Sequence, residues 1–155
     1  MRQSIQSLID LIQISDQDRL VLKNAADQTQ PWAEEFVKMF YDILFENAHT
    51  RVVFREGERP AREETIRIWY LQVVSGEFDE QFWLAQWQVG KRHIERRIFN
   101  SYMLGMMHQT QRFFLEKCMA TFEREQGLNV FNAFKRVTDI AAGIIVEGYL
   151  TSSKI

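Results

Sequence analysis

Two prolines, Pro31 and Pro60, and seven glycines are the strong helix breakers in a chain of 155 residues. This scarcity constrains the fold more than any motif does. A β-sandwich needs a turn every ten residues or so, and turns draw on Gly and Pro. Apolar residues here recur instead at spacings of three and four, the period of a half-buried helix. The expected fold is all-α, a single domain over residues 1–155. With 46% apolar and 26% charged residues the chain has the composition of a packed core, not of a disordered segment.

The helices can be placed from their end signals. Leu8, Ile9, Leu11 and Ile12 give a first short helix over about residues 2–14. Ser15 with Asp18 three residues on reads as a capping box opening a second helix, which should fade near Thr29. Pro31 suits the first turn of a third, where Trp32, Phe36, Phe40 and Ile43 make a stripe that turns Tyr41 inward. Pro60 opens a helix with Ile66, Trp69, Tyr70 and Val73 on its apolar face and Thr65 on the edge, ended by Gly76. Asp79 caps the next, in which Phe82, Ala85, Val89 and His93 share one sector and put His93 on the buried side. Asn100 is expected to cap a long Met- and Phe-rich helix. Gly127 should separate it from a last helix from about Leu128 to Thr151. Both are apolar around much of their circumference, so one face is expected on the core and the other on a second copy, as a homodimer.

The charge pattern removes several classes of function. A net charge of −2 supplies no basic footprint for nucleic acid. The single Cys118 forms no internal disulfide, which suits a cytoplasmic protein, and it reads as a buried apolar residue. The run Ile140 to Val146 is too short to span a bilayer. A phosphate-binding glycine loop, a paired-carboxylate motif, an H-E-x-x-H helix and a G-x-S-x-G elbow are all absent, so no enzyme activity is expected. What remains is the imidazole of Val89-Gly90-Lys91-Arg92-His93. The bare Gly90 would let a flat object approach the helix one turn away from it. A lone histidine on an apolar face is more often a core residue bonded to a backbone carbonyl, and these residues alone leave both readings open. His49, in a loop, and His108, on the Met-rich helix, suit surface or interface roles.

The stretch from Trp69 to Met107 resembles the heme-binding globin domain of the globin-coupled sensors and their protoglobin relatives. It carries Val73-Val74-Ser75-Gly76-Glu77-Phe78-Asp79-Glu80-Gln81-Phe82, then Val89-Gly90 with His93 three residues later, then Tyr102, Met103 and Gly105. The helix ahead of the globin helices is also a feature of that family. The resemblance implies heme b as cofactor and His93 as the proximal iron ligand. It implies Tyr41, of the Phe40-Tyr41 pair, as hydrogen-bond donor to a bound gas, with Thr65 as helper. Phe40, Trp69 and Val89 would then line the heme, together with Ile98, Tyr102 and Met106. Lys91, Arg92, Arg96 and Arg97 could hold the propionates or form a solvated face. Two departures stand out: Arg97 where the family favours Gly, which bears on the turn after His93, and Asn100 near the family's Pro.

The function so implied is an O2 sensor that binds a diatomic gas (O2, CO or NO) and signals through repacking of its last helices to an output domain beyond residue 155. The alternative is a heme-free globin-fold dimerisation or regulatory module in which His93 is structural. Nitric oxide dioxygenation or a peroxidase-like activity would need an electron source that this chain lacks.

Overall fold

The computed structural model describes residues 2–152, and every regular element among them is helical. In chain order these are α1 (Arg2–Ile12), α2 (Asp16–Thr29), α3 (Ala33–Glu46), α4 (Ala48–Arg51), α5 (Arg59–Ser75), α6 (Glu80–Glu95), α7 (Asn100–Thr121) and α8 (Arg124–Ser152). Local chemistry sets several of these boundaries. The Asp18 carboxylate accepts the Ser15 backbone N–H at 3.0 Å, as expected of a capping box. Asp79 Oδ1 accepts the Phe82 N–H at 2.9 Å and opens α6. Gly76 closes α5 in a left-handed conformation, φ 76°, where any Cβ would lie 2.4 Å from the Arg19 carbonyl oxygen.

Other boundaries differ from the sequence reading. Pro31 sits in a 3-10 turn, Gln30–Trp32, that leads straight into α3. Phe99, not Asn100, is the N-cap of α7, and the Asn100 side-chain oxygen is buried without a hydrogen-bond partner among the described residues. Gly127 lies inside α8, which already starts at Arg124, because the Glu123 carboxylate accepts the Glu125 and Gln126 N–H groups and starts the helix ahead of the glycine.

The core is built around α8, which packs against α6, α7, α2, α1 and α5. Phe134 stacks on Phe114 of α7 with centroids 3.8 Å apart, and Phe36 of α3 stacks on Tyr70 of α5 at 4.9 Å. The Tyr70 hydroxyl donates to the Thr29 carbonyl at 2.6 Å, so this buried polar atom is satisfied. These neighbours cover a broad apolar side of α8: Val130, Phe134, Val137, Ile140, Ile144 and Ile145 are all buried within one chain, while Glu125, Asn129, Asn132 and Lys135 are exposed. Of its apolar residues Leu128 and Leu150 stay exposed, as do Leu104 and Met119 of α7.

The α6–α8 crossing is the closest in the molecule's site region. A Cβ on Gly90 would fall 2.2 Å from the Ile145 carbonyl oxygen, and one on Gly148 would fall 2.2 Å from the Trp87 carbonyl oxygen. The two backbones touch there, so the gap at Gly90 is filled by α8 and is not open to a flat ligand. Phe82, Gln86 and Gly90 form the buried row of α6, while Ala85 is exposed, one position off the sector expected for it.

Candidate functional site

The helices α5 and α6 run back along one another from Gly76 and are tied at two points. Near the turn, Trp69 Nε1 donates to Gln86 Oε1 at 3.0 Å. At the far end, Arg96 just past α6 pairs with Glu58 just ahead of α5 at 2.5 Å. Between these ties α5 and α6 make no broad contact of the kind α6 makes with α8. Eleven residues of α5 and ten of α6 bridge the interval, a window about 15 Å long at the helical rise. Helical spacing puts Arg62, Ile66 and Trp69 on one row of α5, and Gln86, Val89 and His93 on one row of α6. Ile66, Trp69, Val89 and His93 are all half-buried.

His93 is held by the way α6 ends. The Ile98 N–H donates to the His93 carbonyl at 2.8 Å and the Arg97 N–H to the Ile94 carbonyl at 3.0 Å, the paired bonds of a Schellman motif. Such a motif requires a left-handed residue, and Arg97 takes that place with φ 59°. The turn expected at this point therefore forms with a side chain where Gly would be less strained. Burial first, then the Arg92 and Arg96 charges, push the His93 pKa down to about 4. The imidazole is neutral near pH 7, the form in which it can bind a metal. Its Nδ1 is enclosed with no hydrogen-bond partner among the described residues. The ring meets the Tyr149 ring edge-on, centroids 5.8 Å apart.

The other expected site residues fall into two groups. Val89 joins Met103, Ile145 and Tyr149 in a small apolar cluster on the His93 side. Tyr102 begins α7 with its ring against Phe99, 5.3 Å away, and Ile98 is drawn back to His93 by the turn. On the α5 side, Phe40 packs between Phe36 and Tyr41. Tyr41 is buried and donates its hydroxyl to the Arg62 carbonyl of α5 at 3.1 Å; burial raises its pKa. Thr65 is exposed, and its hydroxyl donates to the Ala61 carbonyl of its own helix at 3.1 Å. Met106 packs into the main core.

Of the cationic set, Lys91 lies over the Trp87 ring and Arg96 is engaged by Glu58 and Phe54, while Arg92 and Arg97 are exposed. His49 and His108 are exposed, and burial pushes the Cys118 thiol up to about 12.

Three contributors escaped the sequence reading. Gln86 is buried in the row with His93, donates to the Phe82 carbonyl at 3.1 Å and accepts from Trp69; a lone amide on an apolar row was its only signal. Glu58 and Tyr149 are brought in by tertiary structure, and nothing local marks them.

Among the described residues no three His, Cys, Asp or Glu side chains gather to hold a metal ion. A single imidazole fits a metal that arrives with its other positions already filled, which is the donor set of a porphyrin iron. The neutral, metal-competent His93 fits such a group in its donor chemistry. A cavity of about 270 Å³ between α2 and the start of α8, near Val21, Asn24 and Asn129, contains none of these residues and no imidazole.

Comparison with known proteins bears on the fold and the family. A family model described as Protoglobin matches residues 1–154. The globin domain of the Geobacter sulfurreducens globin-coupled sensor superposes with a TM-score of 0.86 at 19% identity, over 93% of this chain and 96% of that one. The fold is thus globin-like. Curated protein sequences give no match. No helix among the described residues is long and apolar enough to cross a membrane.

Proposed function

This chain belongs to the protoglobin family, and on that premise we propose that it is a heme-binding gas sensor domain whose iron is held by His93 and whose ligand is a diatomic gas such as O2. The carrying observation is the buried, hydrogen-bond-deficient nitrogen of His93, on α6 where the Trp69–Gln86 and Glu58–Arg96 ties set that helix beside α5. A bound heme b would supply an iron that His93 could hold and that could take up a diatomic gas.

The residues of the chain do the rest. With heme bound, Val89, Ile98 and Tyr102 would offer apolar surface on the His93 side and Phe40, Ile66 and Trp69 on the α5 side, limiting its contact with water. Tyr41 is the donor toward a bound gas, exchanging its bond to the Arg62 carbonyl for the new one. Arg62 and Arg96, now engaged around Glu58, would offer guanidinium groups to the propionates. Gas binding is read out through α6, whose contact with α8 at Gly90 and Gly148 passes any shift of His93 to the longest helix.

Adding hemin to the purified protein tests this reading. A Soret band that saturates at one hemin per chain is expected, and it should weaken sharply in His93→Ala. Colourless protein that takes up no hemin would favour the heme-free dimerisation module instead.

A further inference from the structure

Two buried polar atoms without partners lie in touching rings. His93 Nδ1 and the Tyr149 hydroxyl each lack a hydrogen bond among the described residues, and the rings meet edge-on at 5.8 Å, 67° between planes. Tyr149 is 6% exposed, so water does not satisfy it. The glycine crossing fixes the backbones on both sides: Gly90 stands three residues before His93, Gly148 immediately precedes Tyr149, and a Cβ on Gly90 would lie 3.0 Å from the Tyr149 nitrogen. Only side-chain torsions remain to bring the nitrogen and the oxygen together.

We propose that Tyr149 is the positioning residue of His93, accepting the Nδ1–H hydrogen bond when Nε2 binds iron and so tying the imidazole to the last turns of α8. This rests on the heme reading above. An imidazole that gives Nε2 to a metal keeps its proton on Nδ1, which must then find an acceptor if it is buried. The phenol oxygen is such an acceptor. Trp87 Nε1, also enclosed and unpartnered, is a donor and cannot serve. Asn100 Oδ1, across the Arg97 turn, is a rival acceptor, while Thr29 Oγ1, also enclosed and unpartnered, belongs to the residue bonded by Tyr70.

Hydrogen bonding to Nδ1–H makes the imidazole a stronger base toward iron. Tyr149→Phe keeps the ring and removes the oxygen. In the heme-free chain the substitution should leave thermal stability equal or raised, because the hydroxyl has no partner to lose. In the hemin-loaded chain it should speed hemin loss to an acceptor protein about 3- to 10-fold, the size of one hydrogen bond. It should also lower the iron–histidine stretching frequency of the ferrous, gas-free form, which a purely packing role would not move. Asn100→Ala should leave that band in place. A parent chain that binds no hemin overturns both this proposal and the heme reading. Normal hemin uptake with an unchanged band and loss rate in Tyr149→Phe, or a band that moves only in Asn100→Ala, overturns the role of Tyr149 alone.

Discussion

His93 prefers to be uncharged where it is, and that preference links the stability of the heme-free chain to pH. Its folded pKa of about 4 lies below the 6.5 of a free imidazole. Between those values the unfolded chain binds more protons, so stability is whole above pH 6.5 and falls as the pH drops toward 4. Between pH 7 and pH 4.5 this one group should remove about 2 kcal/mol, measured by urea unfolding as the difference between parent and His93→Gln. Equal losses in the two would place the imidazole in water. Tyr41 is a second residue whose present bond matters. Since its hydroxyl must leave the Arg62 carbonyl to serve a gas, the net gain is the difference between two hydrogen bonds. Tyr41→Phe should speed O2 dissociation about 3- to 10-fold and barely change association. Identical off-rates by laser photolysis and stopped flow would remove Tyr41 from that role.

At the scale of elements, what the sequence revealed is what neighbours along a helix can set. Ser15 with Asp18, Asp79 with Phe82, and Gly76 all act within four residues, and each stands where its end signal placed it. Asn100 and Gly127 misled because Phe99 and Glu123, unremarkable as caps, hold those helix starts. Gly90 was legible as a bare spot but not as a contact, since its partner Gly148 is far along the chain. The glycine pair is therefore a sharp test of the α6–α8 crossing. Gly90→Ala should lower stability by about 2 kcal/mol or more in urea, because the new Cβ meets a carbonyl that cannot swing away. A neutral substitution would mean that the helices stand apart in solution. Arg97→Gly should act in the opposite sense. It relieves a left-handed side chain at the end of α6 and should raise the unfolding free energy in urea, by no more than about 1 kcal/mol after the added freedom of the unfolded chain.

For the molecule as a whole, the all-α class followed from breaker scarcity and period and the globin-like arrangement from the family resemblance, and the match in fold agrees with both. Much of the apolar surface of α8 is covered by its own chain. The proposed pairing of two copies then falls to residues such as Leu104, Met119, Leu128 and Leu150. Sedimentation at micromolar concentration should give twice the chain mass, and a single-chain mass would refute the pairing. Spacing put His93 on the inner side of α6, the family resemblance alone made it a candidate ligand and marked the turn at Arg97, and Gln86, Glu58 and Tyr149 were illegible because only folding brings those groups in. The central claim is that the His93 imidazole is what binds the iron of a porphyrin between α5 and α6. Its most direct measurement is the absorption spectrum of hemin-loaded His93→Gly with and without free imidazole. The spectrum of the parent should be lost in the variant and restored when imidazole enters the vacated space. A variant that keeps the parent spectrum with no imidazole added would contradict the claim.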